Sequence, residues 1–184
     1  MVEQYKCNVI IMLCKNVESG TEKCAKYWNE KNDGKYSIKV LEEEDKNQYT
    51  IREIKIVNNK TKNEKTVHQI HFMGWPDHGV PDTSDNKIFD VFNGIINLVD
   101  TLKKDSPIVT HCSAGVGRTG TFISMYFLDK EIMSQIKNNV KEITFNIFNL
   151  VRKLKEMRLY LVQTQSQYDF IYKYVEYLLK RFNK

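Results

Sequence analysis

The stretch VTHCSAGVGRTG, residues 109–120, constrains the fold of this chain more than any other. The apolar residues that lead into it, 107–109, predict a buried strand, and a helix is expected to begin beyond Arg118. Between them lie a cysteine, small side chains and two glycines, which allow consecutive backbone N–H groups to converge on one point. With a helix N-terminus directly behind, the segment predicts a cradle for a tetrahedral oxyanion.

Cys112 lies at the floor of this predicted cradle. Amide dipoles and a helix N-terminus that attract an anion also favour the thiolate of a cysteine over its thiol, and the thiolate is the nucleophilic form. Cys112 is therefore the predicted nucleophile. For an isolated cysteine the alternative is a structural role, buried before an ordinary strand-to-helix turn.

The same stretch carries the pattern His-Cys, five residues, Arg and Thr, and HCSAGVGRTG resembles the signature of the protein tyrosine phosphatases. The resemblance implies that Cys112 forms a phosphocysteine and that Arg118 holds two phosphoryl oxygens. It implies that backbone N–H groups bind phosphate at Ser113, Ala114, Gly115, Val116 and Gly117. It also implies that the Thr119 hydroxyl eases departure of the thiolate and that His111 orients the loop and helps keep Cys112 ionised.

Residues 73–82, MGWPDHGVPD, are the second informative stretch. Glycines and prolines predict a loop, yet it contains the large apolar Trp75 and the acid Asp77. The stretch resembles the Trp-Pro-Asp loop of the tyrosine phosphatases, which closes over the substrate. The resemblance implies that Asp77 contacts the bound substrate as the general acid, with Trp75 in a supporting position. A turn-forming aspartate is the alternative for Asp77 taken alone.

Two further segments resemble supporting parts of the same family. The first is residues 15–28, KNVESGTEKCAKYW. Its resemblance to the family implies that Glu18 pairs with Arg118 and that Lys23 lies near the loop that carries Asp77. RLYLVQTQSQ resembles the glutamine loop, which implies that Gln163 positions the hydrolytic water at the phosphate and that Gln167 is the second glutamine of the motif. The alternative, from composition alone, is that Glu18 and Lys23 are surface charges and that the two glutamines only mark the start of a helix.

The chain departs from the family pattern in two ways. The phosphotyrosine-recognition loop of the family lies upstream of the stretch that Met1 begins, which leaves a natural truncation, an artificial boundary or a pocket completed by another chain as explanations. Tyr160 stands where family members often have a glycine, so its ring could obstruct the pocket mouth. The overall sequence is also similar to tyrosine phosphatases carried by symbiotic viruses of parasitoid wasps.

These departures keep two alternative functions open. One is a catalytically weak or inactive domain that binds and sequesters phosphotyrosine. The other is a cysteine phosphatase that acts on RNA 5′ ends or phosphoinositides, because the cradle recognises only the phosphoryl group.

The length of the chain predicts a single domain, residues 1–184, and its mixture of predicted strands and helices indicates an α/β fold. Residues 9–13 predict a buried strand, and three segments rich in β-branched and aromatic residues predict an antiparallel meander: 36–43, 48–57 and 66–72. Three- and four-residue spacing of apolar residues predicts a helix over 84–103, and a segment that is apolar on nearly all sides predicts a buried helix over 119–135. Two more helices are predicted over 144–158 and 166–179, and the aromatic stripe of the last one is expected to form core. The resemblance implies a twisted mixed β-sheet flanked by helices, the cysteine-phosphatase fold without its N-terminal part.

Composition limits the compartment, cofactors and partners that can be expected for this protein. With 184 residues and 41% hydrophobic content the chain can bury one core, and no segment reads as a secretion signal or membrane span, so membrane insertion is not expected. Four cysteines without metal-ligand or disulfide spacing indicate a reducing, cytoplasmic compartment. We expect no metal or cofactor, since Arg118 and the amides supply the positive charge. The scattered net charge of +5 does not predict nucleic-acid binding; tyrosine-phosphorylated proteins are the expected partners, and the oligomeric state stays open.

Overall fold

The computed structural model describes residues 1–76 and 79–182. The chain divides into two compact units, of which the first comprises residues 1–77 and 93–113 and the second residues 78–92 and 114–184. The expectation of a single domain over residues 1–184 stays a prediction.

A mixed β-sheet forms the centre of the first unit. Its strands are, in chain order, β1 (Val9–Met12), β4 (Lys31–Asn32), β5 (Tyr36–Asp45), β6 (Tyr49–Asn58), β7 (Glu64–Phe72) and β8 (Ile108–His111), while β2 (Val17–Glu18) and β3 (Thr21–Glu22) form a separate pair. The spatial order is β4-β5-β6-β7-β1-β8. The predicted meander is confirmed, since β5, β6 and β7 pair antiparallel, and β1 lies parallel to both β7 and β8.

Burial follows the apolar sequence in β1, whereas β6 buries a charged residue. All four residues of β1 are buried, as its continuous apolar run predicts for a central strand. In β6 the residues alternate between the two faces, and the buried face carries Thr50, Arg52 and Ile54. An arginine therefore lies on the buried face of the sheet and needs partners there.

The described residues also form four helices: α1 (Lys87–Lys103), α2 (Gly117–Lys137), α3 (Ile147–Met157) and α4 (Gln165–Arg181). α1 contains the division between the units, at residues 92 and 93, and α2, α3 and α4 belong to the second unit. The sequence predicted α2 from residue 119 and buried on nearly all sides. It begins instead at Gly117, and Phe127 is 51% exposed, so one side of the helix faces solvent.

Aromatic side chains form the core of the second unit. Phe89 and Phe92 contact Phe170, Phe89 also contacts Tyr174, and Phe92 contacts Phe122, with ring centroids 5.1 to 6.3 Å apart. The aromatic stripe of α4 is thus core, as predicted. Within the described residues, no helix combines the length and the apolar character that crossing a membrane requires.

Candidate functional site

Cys112 follows directly after β8 in the first unit. Its side chain is 7% exposed, and the strand before it is fixed by pairing with β1, with a further hydrogen bond from the Leu13 N–H to the His111 carbonyl of 2.9 Å. β1 and β8 are parallel, so their carboxyl ends meet at the same edge of the sheet. This edge is where α/β proteins commonly bind ligands.

His111 is held by hydrogen bonds on both ring nitrogens. Its Nδ1 lies 3.0 Å from the backbone carbonyl oxygen of Cys112, and its Nε2 lies 2.8 Å from the hydroxyl of Tyr27. A carbonyl oxygen only accepts, so Nδ1 carries the proton and donates it to Cys112. Tyr27 was not singled out from the sequence, although it lies in the segment that drew attention to Lys23.

Residues 113–116 connect Cys112 to α2. Ser113 and Ala114 are exposed, and Gly115 has φ of +70°, a conformation that glycine adopts without strain. Among the described residues no side chain caps the N-terminus of α2, where Val116 is the N-cap. Arg118 consequently lies in the first turn of the helix, and Thr119 behind it is buried.

Both predicted glutamines lie at the start of α2. A Cβ placed on Gly117 would lie 2.8 Å from Nε2 of Gln167 and 3.2 Å from Oε1 of Gln163. A Cβ on Gly120 would lie 2.5 Å from the backbone nitrogen of Val162. The segment after α3 therefore packs against the first turn of α2 at distances that only glycine permits, and this packing brings Gly117, Gln163 and Gln167 together.

Gln167 also caps α4. Its Oε1 accepts from the backbone N–H groups of Gln163 and Thr164, at 2.8 and 3.3 Å, while the Thr164 hydroxyl accepts from the backbone N–H of Gln167 at 3.3 Å. This reciprocal pair is a capping box. Because the Gln163 N–H is one of its donors, the cap fixes the backbone position of Gln163.

Arg158 is a residue whose importance the sequence did not signal. Its Nη2 donates to the backbone carbonyl of Ala114 at 3.1 Å, a bond that ties the segment after α3 to the loop before α2. Tyr160, two positions on, has φ of +67° and a side chain that is 70% exposed. Its ring is mostly in solvent.

The other predicted site residues are placed individually. The Glu18 side chain is 6% exposed, and its Oε1 accepts from the backbone N–H of Lys15 at 3.0 Å. The backbone N–H of Lys23 donates to the carbonyl of Asn16, and Trp75 is buried at 2% exposure. Asp77 lies outside the described residues. The described part of the chain contains no group of histidine, cysteine and acidic residues that could hold a metal ion.

Comparisons with known proteins agree on one family. A sequence model described as protein-tyrosine phosphatase matches residues 1–177. Receptor-type tyrosine-protein phosphatase alpha of Mus musculus is 33% identical over 192 residues, which cover 100% of this chain and 21% of that protein. For receptor-type tyrosine-protein phosphatase eta of Homo sapiens the identity is 39% over 177 residues, covering 93% of this chain and 12% of that protein.

A solved structure supports the same assignment. The catalytic domain of human protein tyrosine phosphatase non-receptor type 18 superposes with a TM-score of 0.82 and 28% identity, over 96% of this chain and 62% of that chain. The predicted α/β fold is thereby confirmed. The chain spans 21% of the alpha phosphatase and 12% of the eta phosphatase, so it corresponds to only part of these relatives.

Proposed function

This chain belongs to the protein-tyrosine phosphatase family, and we propose that it hydrolyses phosphotyrosine in proteins through a phosphocysteine intermediate. The observation that carries the proposal is the setting of Cys112. A buried thiol follows the carboxyl end of β8, and residues 113–116 then lead into a helix whose N-terminus has no side-chain cap within the described part of the chain. The N-terminus of a helix suits an anionic ligand, because its first N–H groups point outward along the helix axis and carry positive partial charge.

In the first step the Cys112 thiolate attacks phosphorus in line. The S–P bond forms as the bond from phosphorus to the tyrosine oxygen breaks, and Asp77 donates a proton to that oxygen. The guanidinium of Arg118 binds two of the phosphoryl oxygens, and the backbone N–H groups of residues 113–118 bind the rest. The products are the free tyrosine and a phosphocysteine.

In the second step water releases phosphate. Gln163 orients a water molecule toward phosphorus, and Asp77, now a base, takes its proton as the new P–O bond forms. The S–P bond breaks, inorganic phosphate leaves, and the hydroxyl of Thr119 stabilises the departing thiolate of Cys112. The packing of Gln163 against Gly117 supports this role, because it holds the glutamine at the start of α2. No step requires a metal or cofactor, since the positive charge comes from Arg118 and the amides.

The remaining predicted residues hold the reacting groups and the loops of the site in position. Glu18 is proposed to pair with Arg118 and Lys23 to lie near the loop of Asp77, while Trp75 anchors that loop. The burial of Glu18 and Trp75 supports such fixed positions. His111 and Gln167 act through the backbone that they hold in place.

The expected partners are tyrosine-phosphorylated proteins in the cytoplasm. None of the four cysteines, Cys7, Cys14, Cys24 and Cys112, forms a disulfide bond, which supports a reducing compartment. The proposed mechanism also requires that Cys112 is not in a disulfide.

Steady-state hydrolysis of a phosphotyrosine peptide tests the proposal. We expect turnover by the wild-type chain and a loss of roughly 10⁴-fold or more in kcat for Cys112→Ser, because the nucleophile is removed. Cys24→Ser, at a free cysteine that is only partly buried, is the matched control and should keep wild-type turnover. Peptide binding without turnover by the wild-type chain would overturn the proposal in favour of a phosphotyrosine-binding domain.

A further inference from the structure

A chain of hydrogen bonds crosses the buried side of the sheet in the first unit and ends at the nucleophile. Nη1 of Arg52 donates to Oε1 of Gln69 at 3.0 Å, and Nε2 of Gln69 donates to the hydroxyl oxygen of Tyr27 at 2.8 Å. The bond from Tyr27 to His111 and the bond from His111 to the Cys112 carbonyl complete it, at 2.8 and 3.0 Å. We call these five residues the relay.

The chemistry at the two ends of the relay determines which group donates in each of its hydrogen bonds. A guanidinium has only donors, so the amide oxygen of Gln69 must face Arg52 and the amide nitrogen must face Tyr27. Because the Tyr27 oxygen accepts from Gln69, its own hydrogen is available for Nε2 of His111. At the other end the Cys112 carbonyl only accepts, so the bond to it is made by the tautomer of His111 that carries its proton on Nδ1. Every bond therefore points from Arg52 toward Cys112.

The relay is rigid as well as directed. Gln69 is fully buried and Arg52 is 7% exposed. The Arg52 guanidinium is held by Nε donating to Glu43 at 2.5 Å and by the Trp28 ring, whose centroid lies 4.6 Å from the guanidinium carbon. Burial raises the pKa of Tyr27, so its hydroxyl keeps its proton at neutral pH and can serve as the donor.

We propose that Gln69 and Arg52 are positioning residues for the nucleophile: they set the direction of the relay and thereby hold His111 in the tautomer that binds the Cys112 carbonyl. The consequence for the proposed phosphatase reaction rests on Cys112 being its nucleophile. The tautomer of His111 does not depend on that function. Gln69 is the decisive residue of the relay. Because its amide oxygen accepts from Arg52, its amide nitrogen is turned toward Tyr27 and donates to the Tyr27 oxygen.

The isosteric substitution Gln69→Glu tests the direction of the relay. The introduced carboxylate has nearly the same shape, but it only accepts, so it binds Arg52 on one side and takes the hydrogen of Tyr27 on the other. The Tyr27 oxygen can then only accept from His111, whose proton is expected to move to Nε2. Long-range ¹H–¹⁵N NMR correlations of the imidazole at about pH 8, where an ordinary histidine is neutral, distinguish the two tautomers.

The expected results are specific. Wild-type His111 should be protonated on Nδ1, Gln69→Glu should shift it to Nε2, and Gln69→Leu, which removes the donor without adding an acceptor, should give a mixture. With a phosphotyrosine peptide, kcat should fall by roughly tenfold to 10²-fold in Gln69→Glu, the loss expected when a reacting group is displaced by up to about 1 Å, while KM changes little. Arg52→Lys keeps a donor-only partner and should preserve the tautomer.

Gln48→Glu, the same chemical change at an exposed turn, is the matched control and should alter neither tautomer nor turnover. The proposal is overturned if wild-type His111 carries its proton on Nε2, or if Gln69→Glu folds and leaves both the tautomer and kcat unchanged. If Gln69→Glu does not fold, a wild-type tautomer and kcat in Gln69→Leu overturn it. A wild-type chain that lacks phosphatase activity contradicts the proposed function alone, because the tautomer measurement still decides the relay.

Discussion

Gly117 is the point where Gln163 and Gln167 approach the start of α2. The space that a side chain would occupy there is filled by Nε2 of Gln167 and Oε1 of Gln163. The sequence marked Gly117 as a residue whose backbone faces an anion. The structure adds that its missing side chain also determines where the glutamines lie.

Gly117→Ala should therefore impair the second half of the reaction. The added methyl would lie 2.8 Å from Gln167 and 3.2 Å from Gln163, so both side chains must move and Gln163 can no longer orient the water. We expect an initial burst of phenol release from an aryl phosphate followed by steady-state turnover about 10²-fold below wild type, measured by stopped flow.

The control for this substitution is Gly94→Ala. Gly94 lies in α1 with open space around the position of its Cβ. Alanine there should raise the free energy of unfolding by roughly 0.5–1 kcal/mol and leave turnover unchanged. Equal turnover for Gly117→Ala and wild type would contradict the role that we assign to the glutamine packing.

The N-termini of α2, α3 and α4 differ in their side-chain caps. The side chain of Asn146 caps α3 by accepting from the N–H of Asn149 at 2.8 Å, and Thr164 with Gln167 forms the capping box of α4. No described side chain caps α2. Of these three helices, the one that follows Cys112 is therefore the one without a side-chain cap among the described residues, and such a helix N-terminus suits an anion.

The cap of α4 has a second effect that the cap of α3 does not. Thr164→Ala and Asn146→Ala should each lower the free energy of unfolding by about 1 kcal/mol, because each leaves a backbone N–H without its acceptor. Only Thr164→Ala should also lower kcat, since Gln167 then loses its fixed position and with it the bond to the backbone of Gln163. Urea denaturation and peptide hydrolysis measure the two effects.

Thr164→Ser keeps a hydroxyl at the cap and should restore both stability and kcat. Equal kcat for Thr164→Ala and Asn146→Ala would show that the cap of α4 has no influence on the site.

Across the whole molecule, local patterns in the sequence predicted most helices and strands. The same patterns did not predict the polar contacts between residues that are far apart in the sequence. Alternation predicted β5 to β7, and helical spacing predicted the core face of α4. The relay was missed because its partners are separated by 17 residues between Arg52 and Gln69, and by 84 between Tyr27 and His111. A charged residue in a strand also predicts a solvated face, yet pairing with Glu43 and Gln69 allows Arg52 to be buried.

His71 is a second buried polar residue of this kind, and it links protonation to the stability of the whole fold. Its Nδ1 accepts from Nη1 of Arg52 at 3.2 Å, and its Nε2 donates to the Cys14 carbonyl at 2.8 Å. Burial, reinforced by the positive charge of Arg52, lowers the pKa of His71. In the unfolded chain its pKa returns to about 6.5, so below that pH the unfolded state binds a proton that the folded state does not.

The free energy of unfolding should consequently be fully retained above about pH 6.5 and decrease as the pH falls toward the lowered pKa of folded His71, with a slope of at most about 1.4 kcal/mol per pH unit. His71→Gln supplies an acceptor for Arg52 and a donor for Cys14 but does not titrate, so its stability should change less between about pH 7 and about pH 5. His68→Gln, on the other face of β7, should keep the wild-type slope. Urea denaturation at a series of pH values measures all three proteins, and identical slopes for wild type and His71→Gln would show that the acid sensitivity of the fold arises elsewhere.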